Sequence, residues 1–301
     1  MTEQTSTAIA VNTAEGRQYS ESPWGRVWYK FRRDRTGMLS LGIVALYLLV
    51  ALGVWLGIWG QGWSENTGPM WAAPGTDHWL GTNVIGQDIY QRAIYSTRTA
   101  FEIGLVVAVL ATLLGALLGA LSGYYSNTWV DELILWLTGV LDSIPFYLFV
   151  AAVAFALQGN PYAMHIAMIS TFWTTTARLV RGDVIKLKNF DFVEAARAIG
   201  VPQFKIIFRH ILPNTFHILL VQSTITFVSA IKSEVILSFL GLGVSDGVSW
   251  GLMIAESTQD VQAGHFSNFI TASVFLFFLV MAFNMFSDSL QDALDPKKVH
   301  E

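Results

Sequence analysis

The sequence contains no cysteine, which excludes disulfide bridges and thiolate metal sites. Charge is scarce as well: Asp, Glu, Lys and Arg make up 13% of the 301 positions against 53% hydrophobic residues, and mean hydropathy is +0.47. A soluble domain needs more polar surface than this composition supplies. Catalytic signatures are missing too. No GxxxxGK[ST] or HExxH occurs, so nucleotide binding and zinc-dependent hydrolysis have no visible seat. His210 and His217 lie two helical turns apart but bring no third ligand, and read as polar residues near a membrane surface. Gly241-Leu242-Gly243 lacks the third glycine and the acidic partner of a dinucleotide site and reads as a helix exit. No period of about 20–50 residues marks a repeat protein.

What the sequence has instead is long uncharged runs, at about 38–60, 103–128, 133–157, 162–177, 214–231 and 267–287. A helix needs roughly 20 apolar residues to cross the hydrocarbon core. The prediction is therefore an all-α polytopic membrane protein with six transmembrane helices. A transmembrane domain at 38–290 follows an N-terminal segment, 1–37, whose first 20 residues are expected to be disordered, and precedes a short tail, 291–301. Gln158-Gly159-Asn160-Pro161 suits a tight reversal between runs three and four. Asp142 interrupts run three, and Lys232 with Glu234 closes run five.

Basic residues orient the chain, because loops on the cytoplasmic side carry the excess of Lys and Arg. Arg17, Arg26, Lys30, Arg32, Arg33 and Arg35 precede run one. Arg178, Arg181, Lys186, Lys188, Arg197, Lys205 and Arg209 separate runs four and five, and Lys297 and Lys298 close the tail. The long loops at 61–102 and 239–266 carry only Arg92 and Arg98. Both termini are thus expected in the cytoplasm. No apolar h-region occurs in the first 37 residues, so no cleavable signal peptide is expected. The net charge of −4 says less than this asymmetry between loops.

The loop at 183–213 carries the most local information. Asp191-Phe192-Val193-Glu194 has capping-box spacing, which predicts a helix from Phe192 with Asp191 as its cap and Glu194 reaching back. Gly200 suits the left-handed residue that closes a helix, and Pro202 suits the first turn of a second helix, expected to end near Pro213. Phe192, Ala195, Ala196 and Ile199 share one face by spacing, with the two alanines leaving it shallow enough for another surface to approach. An ordinary amphipathic interfacial helix fits the same pattern.

Glu194-Ala195-Ala196-Arg197-Ala198-Ile199-Gly200, followed by His210-Ile211-Leu212-Pro213-Asn214, resembles the EAA loop of bacterial ABC-importer permeases. His210 departs from the isoleucine of the general pattern. Leu80-Gly81-Thr82, Gly86, Asp88, Arg92, Ile94-Tyr95, Arg98 and Gly104 are similar to the segment before span two in dipeptide and oligopeptide permeases of the C type. Leu237-Ser238-Phe239-Leu240-Gly241-Leu242-Gly243, Trp250-Gly251, Met253 and Asp292-Ala293-Leu294-Asp295-Pro296 resemble the same subfamily. Asn83 and Gln87 stand where an acid and a base are expected, and 245–249 lacks the usual prolines.

The resemblance implies a non-catalytic permease subunit in the bacterial inner membrane. It implies a second permease, two cytoplasmic ATPase subunits that hold ATP and Mg, an extracytoplasmic solute-binding protein and surrounding lipid as partners, with no cofactor on this chain and no nucleic acid. It further implies that Asp191, Glu194, Ala195, Ala196, Gly200 and Pro213 belong to the loop that docks on the ATPase. Peptides are the implied solute, with oligosaccharides or nickel as alternatives. A secondary transporter or channel would explain the spans, but paired intramembrane acids, broken repeats and a filter sequence are not visible. No nucleophile–base constellation suggests a membrane-embedded enzyme.

Three charges lie inside or at the edge of the runs: Asp142 within run three, and Lys232 and Glu234 at the close of run five. Each would cost about 2.5–3.5 kcal/mol at a span centre on insertion scales, so each needs a partner, water or a shallow position, and together they are candidates for the solute path. Lys232 and Glu234, two apart, cannot face each other. Asn284 and Asp288, one turn apart near the end of run six, mark either a partner contact or the membrane exit.

Overall fold

The computed structural model describes residues 23–157, 159–244 and 246–295. Residues 1–20, expected to be disordered, and Lys297 and Lys298 of the tail lie outside the described residues. Among the described residues the chain forms α-helices and no strand, only two isolated β-bridges. The helices are α1 (Pro23–Arg33), α2 (Arg35–Trp55), α3 (Ile89–Tyr124), α4 (Trp129–Ser143), α5 (Phe146–Ala156), α6 (Ala163–Leu187), α7 (Asp191–Ala198), α8 (Gln203–Ile206), α9 (Phe216–Phe239), α10 (Trp250–Gln262) and α11 (Ser267–Leu294). Asp34 separates α1 from α2: its carboxylate accepts from the Thr36 amide at 2.9 Å, capping α2, and from Ser289 Oγ at 2.6 Å, tying that cap to α11.

Several runs differ from the helices they become. Run two begins at Ile89 rather than 103, because Asp88 caps the helix by accepting from the Gln91 amide at 3.0 Å. The resulting 36 residues are about 54 Å long, more than the roughly 30 Å hydrocarbon core requires. Run three is not one straight span. Pro145 forces Ile144 into an extended conformation (φ −92°, ψ 132°), and α4 and α5 meet at 93°. Run four continues to Leu187, so Arg178, Arg181 and Lys186 sit on α6 and not in a loop. Runs five and six likewise extend past Lys232 and Glu234, and past Asn284 and Asp288, into further helical turns.

The second helix of the 183–213 segment also differs from expectation: it does not end near Pro213. Pro213 offers no N–H to the carbonyl one turn back, and its ring crowds that turn. The chain absorbs this by widening to a π-helix over Ile207–Ile211, where Leu212 N–H reaches Ile207 O, then tightening to a 3-10 turn over Leu212–Thr215. Asn214 Nδ2 donates to the His210 carbonyl at 2.6 Å. A continuous helical path from Gln203 to Phe239 results.

By length and composition, α2, α3, the 203–239 helix and α11 can each cross a membrane, and the bent α4–α5 pair makes a fifth candidate. α6 has the length, but its second half is charged.

The long α3 is the centre of the bundle. It packs most extensively on α6, where Gly115, Gly119 and Gly123 form a small-residue seam at i, i+4, i+8. A Cβ on Gly115 would stand 2.6 Å from the Trp173 carbonyl oxygen, and one on Gly123 would stand 2.8 Å from that of Arg181. Close backbone approach of this kind replaces the hydrophobic drive that lipid removes. On its other side α3 meets α9 and α11 through Phe101, Phe227 and Phe283, the last two stacked at 4.0 Å.

Candidate coupling helix and intramembrane charges

α7 is one residue longer at its start than the capping box predicts. Its first residue is Asp191, its N-cap is Phe190, and no side-chain capping bond forms from Asp191 or back from Glu194. The end conforms to expectation. Gly200 has φ +77°, its N–H donates to Arg197 O at 2.9 Å, and Val201 N–H donates to Ala196 O at 3.0 Å. These are the two bonds of a Schellman motif, with Val201 and Ala196 meeting in one apolar cluster.

The face of α7 divides differently from its spacing. Val193 and Ala196 are buried against Ala120 and Tyr124 of α3, Val180 and Val184 of α6, and Ile206, Ile207 and Ile211 beyond the corner. Ala196 thus leaves the exposed group, because a helix lying on two others turns its innermost residue into the groove between them. Phe192, Glu194, Ala195 and Ile199 are exposed, Ile199 at 81%. Arg197 is also exposed and lies over the Tyr124 ring at 5.3 Å. Pro213 stands apart from α7, at the helical distortion that leads into α9. The segment therefore has an apolar underside locked to α3 and α6 and an uncovered top.

The structure does not bring Asp142, Lys232 and Glu234 together. Asp142, in the last turn of α4, pairs with Arg178 of α6 and accepts from Thr174 Oγ1 at 3.3 Å, and both members of the pair are partly open. Lys232 lies on the exposed stripe of α9, in a groove of about 790 Å³ shared with Tyr147 of α5 and with Phe277, Asn284 and Asp288 of α11. Glu234, two residues on, is buried. Its Oε1 accepts from Ser238 Oγ and Ser249 Oγ, both at 2.5 Å, and Ser249 in turn caps α10 by accepting from the Leu252 amide at 3.0 Å. Glu234 is a tie between α9 and α10 and is closed to solvent.

Two charge clusters escape a reading by hydrophobic runs. Asp131 of α4 accepts Arg181 Nε at 2.8 Å and Nη2 at 2.9 Å, Ser122 Oγ at 2.5 Å and the Asn127 amide at 3.0 Å, which joins α3, α4 and α6. Their separation of 50 residues gives no local signal; only the cost of a charge in an apolar run points to a partner. Arg92 is 3% exposed and reaches Glu256 of α10 at 2.5 Å rather than its i−4 neighbour Asp88, which takes His78 Nδ1 at 2.8 Å. Burial pushes the Glu256 carboxyl above its ordinary range; Arg92 opposes that shift and Asp260 adds to it.

The same end of the bundle explains the other motif residues. Trp250 Nε1 donates to Ala93 O at 3.0 Å, and a Cβ on Gly251 would stand 2.7 Å from Val235 Cα, so α10 lies tightly between α3 and α9. Asn83 and Gln87, in place of the expected acid and base, bond to each other at 3.1 Å. A neutral pair thus holds the turn that an ion pair would hold.

A helical bundle with spans of membrane length, a two-faced exposed helix at one end and an interlocked cap at the other defines a multi-pass membrane component. The chain belongs to the family of binding-protein-dependent transport system inner membrane components, which matches residues 111–300. Residues 22–63 match the N-terminal transmembrane domain of oligopeptide transport permease C. The dipeptide transport system permease protein DppC of Bacillus subtilis (strain 168) is 32% identical over 275 residues, 90% of this chain and 84% of that protein. The glutathione transport system permease protein GsiD of Escherichia coli O157:H7 is 36% identical over 280 residues, 92% and 91% of the two chains. This chain is thus a permease of a binding-protein-dependent ABC transport system.

Proposed function

We propose that this chain is one of two permease subunits of an ATP-driven importer of peptides. It spans the bacterial inner membrane six times with both termini in the cytoplasm, α6 supplying one span and the α4–α5 pair another. A solute-binding protein delivers peptide to the α10 end, and two ATPase subunits, which hold ATP and Mg, act on the α7 end. The peptide assignment draws on the names of the dipeptide and glutathione permease relatives.

The observation that carries this reading is the two-faced α7. Phe192, Glu194, Ala195 and Ile199 face outward, while Val193 and Ala196 are wedged against α3 and α6. A push on the outer face passes through close-packed side chains to two spans at once, which is the arrangement mechanical coupling needs. Asp191 and Gly200 bracket the docking helix, and Pro213 begins the span that follows. Arg178 and Lys232 are 54% exposed and exposed, respectively, at positions within membrane helices. A charge there costs about 2.5–3.5 kcal/mol against lipid on insertion scales, so the Asp142–Arg178 pair and Lys232 face the solute path or the second permease.

Ala195→Trp tests the reading, because the position is exposed and the bulk falls on the docking face alone. Co-expressed with its partners, the variant should reach the membrane at the normal level but lose ATPase subunits on purification and fail in ATP-dependent uptake of alanyl-alanine. Normal uptake by this variant would show that α7 is not the docking surface.

A further inference from the structure

One cavity is used by none of these features. It measures about 270 Å³ and lies where the 159–161 reversal and the start of α6 meet the end of α9, with Asn160, Ala163, His165, Ser238, Gly241 and Leu242 in its wall. His165 is 6% exposed, and neither Nδ1 nor Nε2 has a hydrogen-bond partner. Buried ring nitrogens without partners are uncommon and call for one.

The surrounding chemistry has one sign. Ser238 spends its proton on Glu234, which leaves its oxygen lone pairs as acceptors. α9 ends at this wall in a Schellman turn, Gly241 N–H to Ser238 O at 3.0 Å and Leu242 N–H to Leu237 O at 2.8 Å, and a helix C-terminus carries partial negative charge. Among the described residues no Lys or Arg lines the cavity. A transition metal would need further ligands, and no group of three metal-binding side chains occurs among the described residues. Acceptors and negative potential without a resident cation suit a compact donor with several N–H bonds, which is a primary ammonium group.

We propose that this cavity receives the α-ammonium group of the transported peptide, with His165 accepting one of its hydrogen bonds. The proposal rests on the peptide reading above. On that reading the cavity lies at the end of the bundle where solute arrives.

The absence of native cysteine makes a direct test possible. Ala163→Cys is introduced into a complex whose partners lack reactive cysteine, and its reaction rates are measured with aminoethyl and sulfonatoethyl methanethiosulfonate, each relative to a free thiol. Field focusing in a cleft of one sign predicts a preference of about tenfold or more for the ammonium reagent. His165→Leu should reduce that preference several-fold and His165→Gln, which keeps an acceptor, should retain it. Alanyl-alanine should protect the thiol, and N-acetyl-alanyl-alanine should not. Wild-type uptake of alanyl-alanine is measured in parallel. No peptide uptake would overturn the functional reading and this proposal with it. Uptake accompanied by equal reagent rates, by an unchanged preference in His165→Leu, or by equal protection from the acetylated peptide would overturn this proposal alone.

Discussion

Gly200 offers the sharpest test of coupling, because its substitution acts through one variable. Its φ is +77°, and a Cβ placed on it would meet nothing within 4 Å. Size is therefore not at issue, and any penalty is backbone strain. Placing an L-residue in the left-handed region costs about 1–2 kcal/mol, while Asn visits that region routinely. At 1.4 kcal/mol per decade this is about a 5–30-fold loss in the equilibrium that holds the corner closed. α7 has eight residues, too few to persist without its packing and its two Schellman bonds. We expect the order Gly, Asn, Ala, Val, with valine worst because β-branching adds to the strain. The assay is receptor-stimulated ATP hydrolysis and peptide uptake in proteoliposomes, with membrane level and retained ATPase measured alongside. Gly200→Asn should be close to wild type, and Gly200→Val should reach the membrane yet lose stimulation. Wild-type coupling in Gly200→Val, or equal damage from asparagine and valine, would refute the argument from φ. Glu194→Ala is a useful companion. With no capping bond to lose, it should leave α7 intact and weaken only the association with the ATPase.

Single cysteines at Ser64 and Ala263, both exposed, should react with an impermeant thiol reagent added outside intact cells, whereas one at Asn189 should not; labelling of Asn189 from outside would reverse the orientation. Asp131→Asn leaves Arg181 without its carboxylate and should cost about 3–5 kcal/mol, seen as a large drop in the thermal midpoint of the purified complex. The double change Asp131→Leu with Arg181→Met should recover much of that loss, since a buried pair is costly mainly when one partner is removed. Lys232→Met should leave membrane levels normal and lower peptide uptake, and Glu234→Ala should instead loosen α10 and lower stability. Unaltered uptake in Lys232→Met would remove Lys232 from the solute path.

Composition and run length alone settled that this chain belongs in a bilayer as an all-α bundle, because a hydrocarbon core demands long uncharged helices whatever their packing. The corner at Gly200 and the helix exit at Gly241 were equally legible, since a left-handed residue after a helix is a local requirement. The seam of Gly115, Gly119 and Gly123 was present in the sequence, but small residues every four positions acquire meaning only when a second helix is known to lie against them. Which charges pair was not legible: Asp131 finds Arg181 and Arg92 finds Glu256 across 50 and 164 residues. The 93° break at Pro145 and the π-bulge before Pro213 also depended on tertiary structure, because a proline can end a helix, bend it or be absorbed by it, and neighbouring helices decide which. Spacing put Ala195 and Ala196 on one face of α7; the groove between α3 and α6 separated them, burying one and leaving the other exposed. Periodicity tells which residues share a side of a helix, and only the position of that helix on its neighbours tells which side is covered.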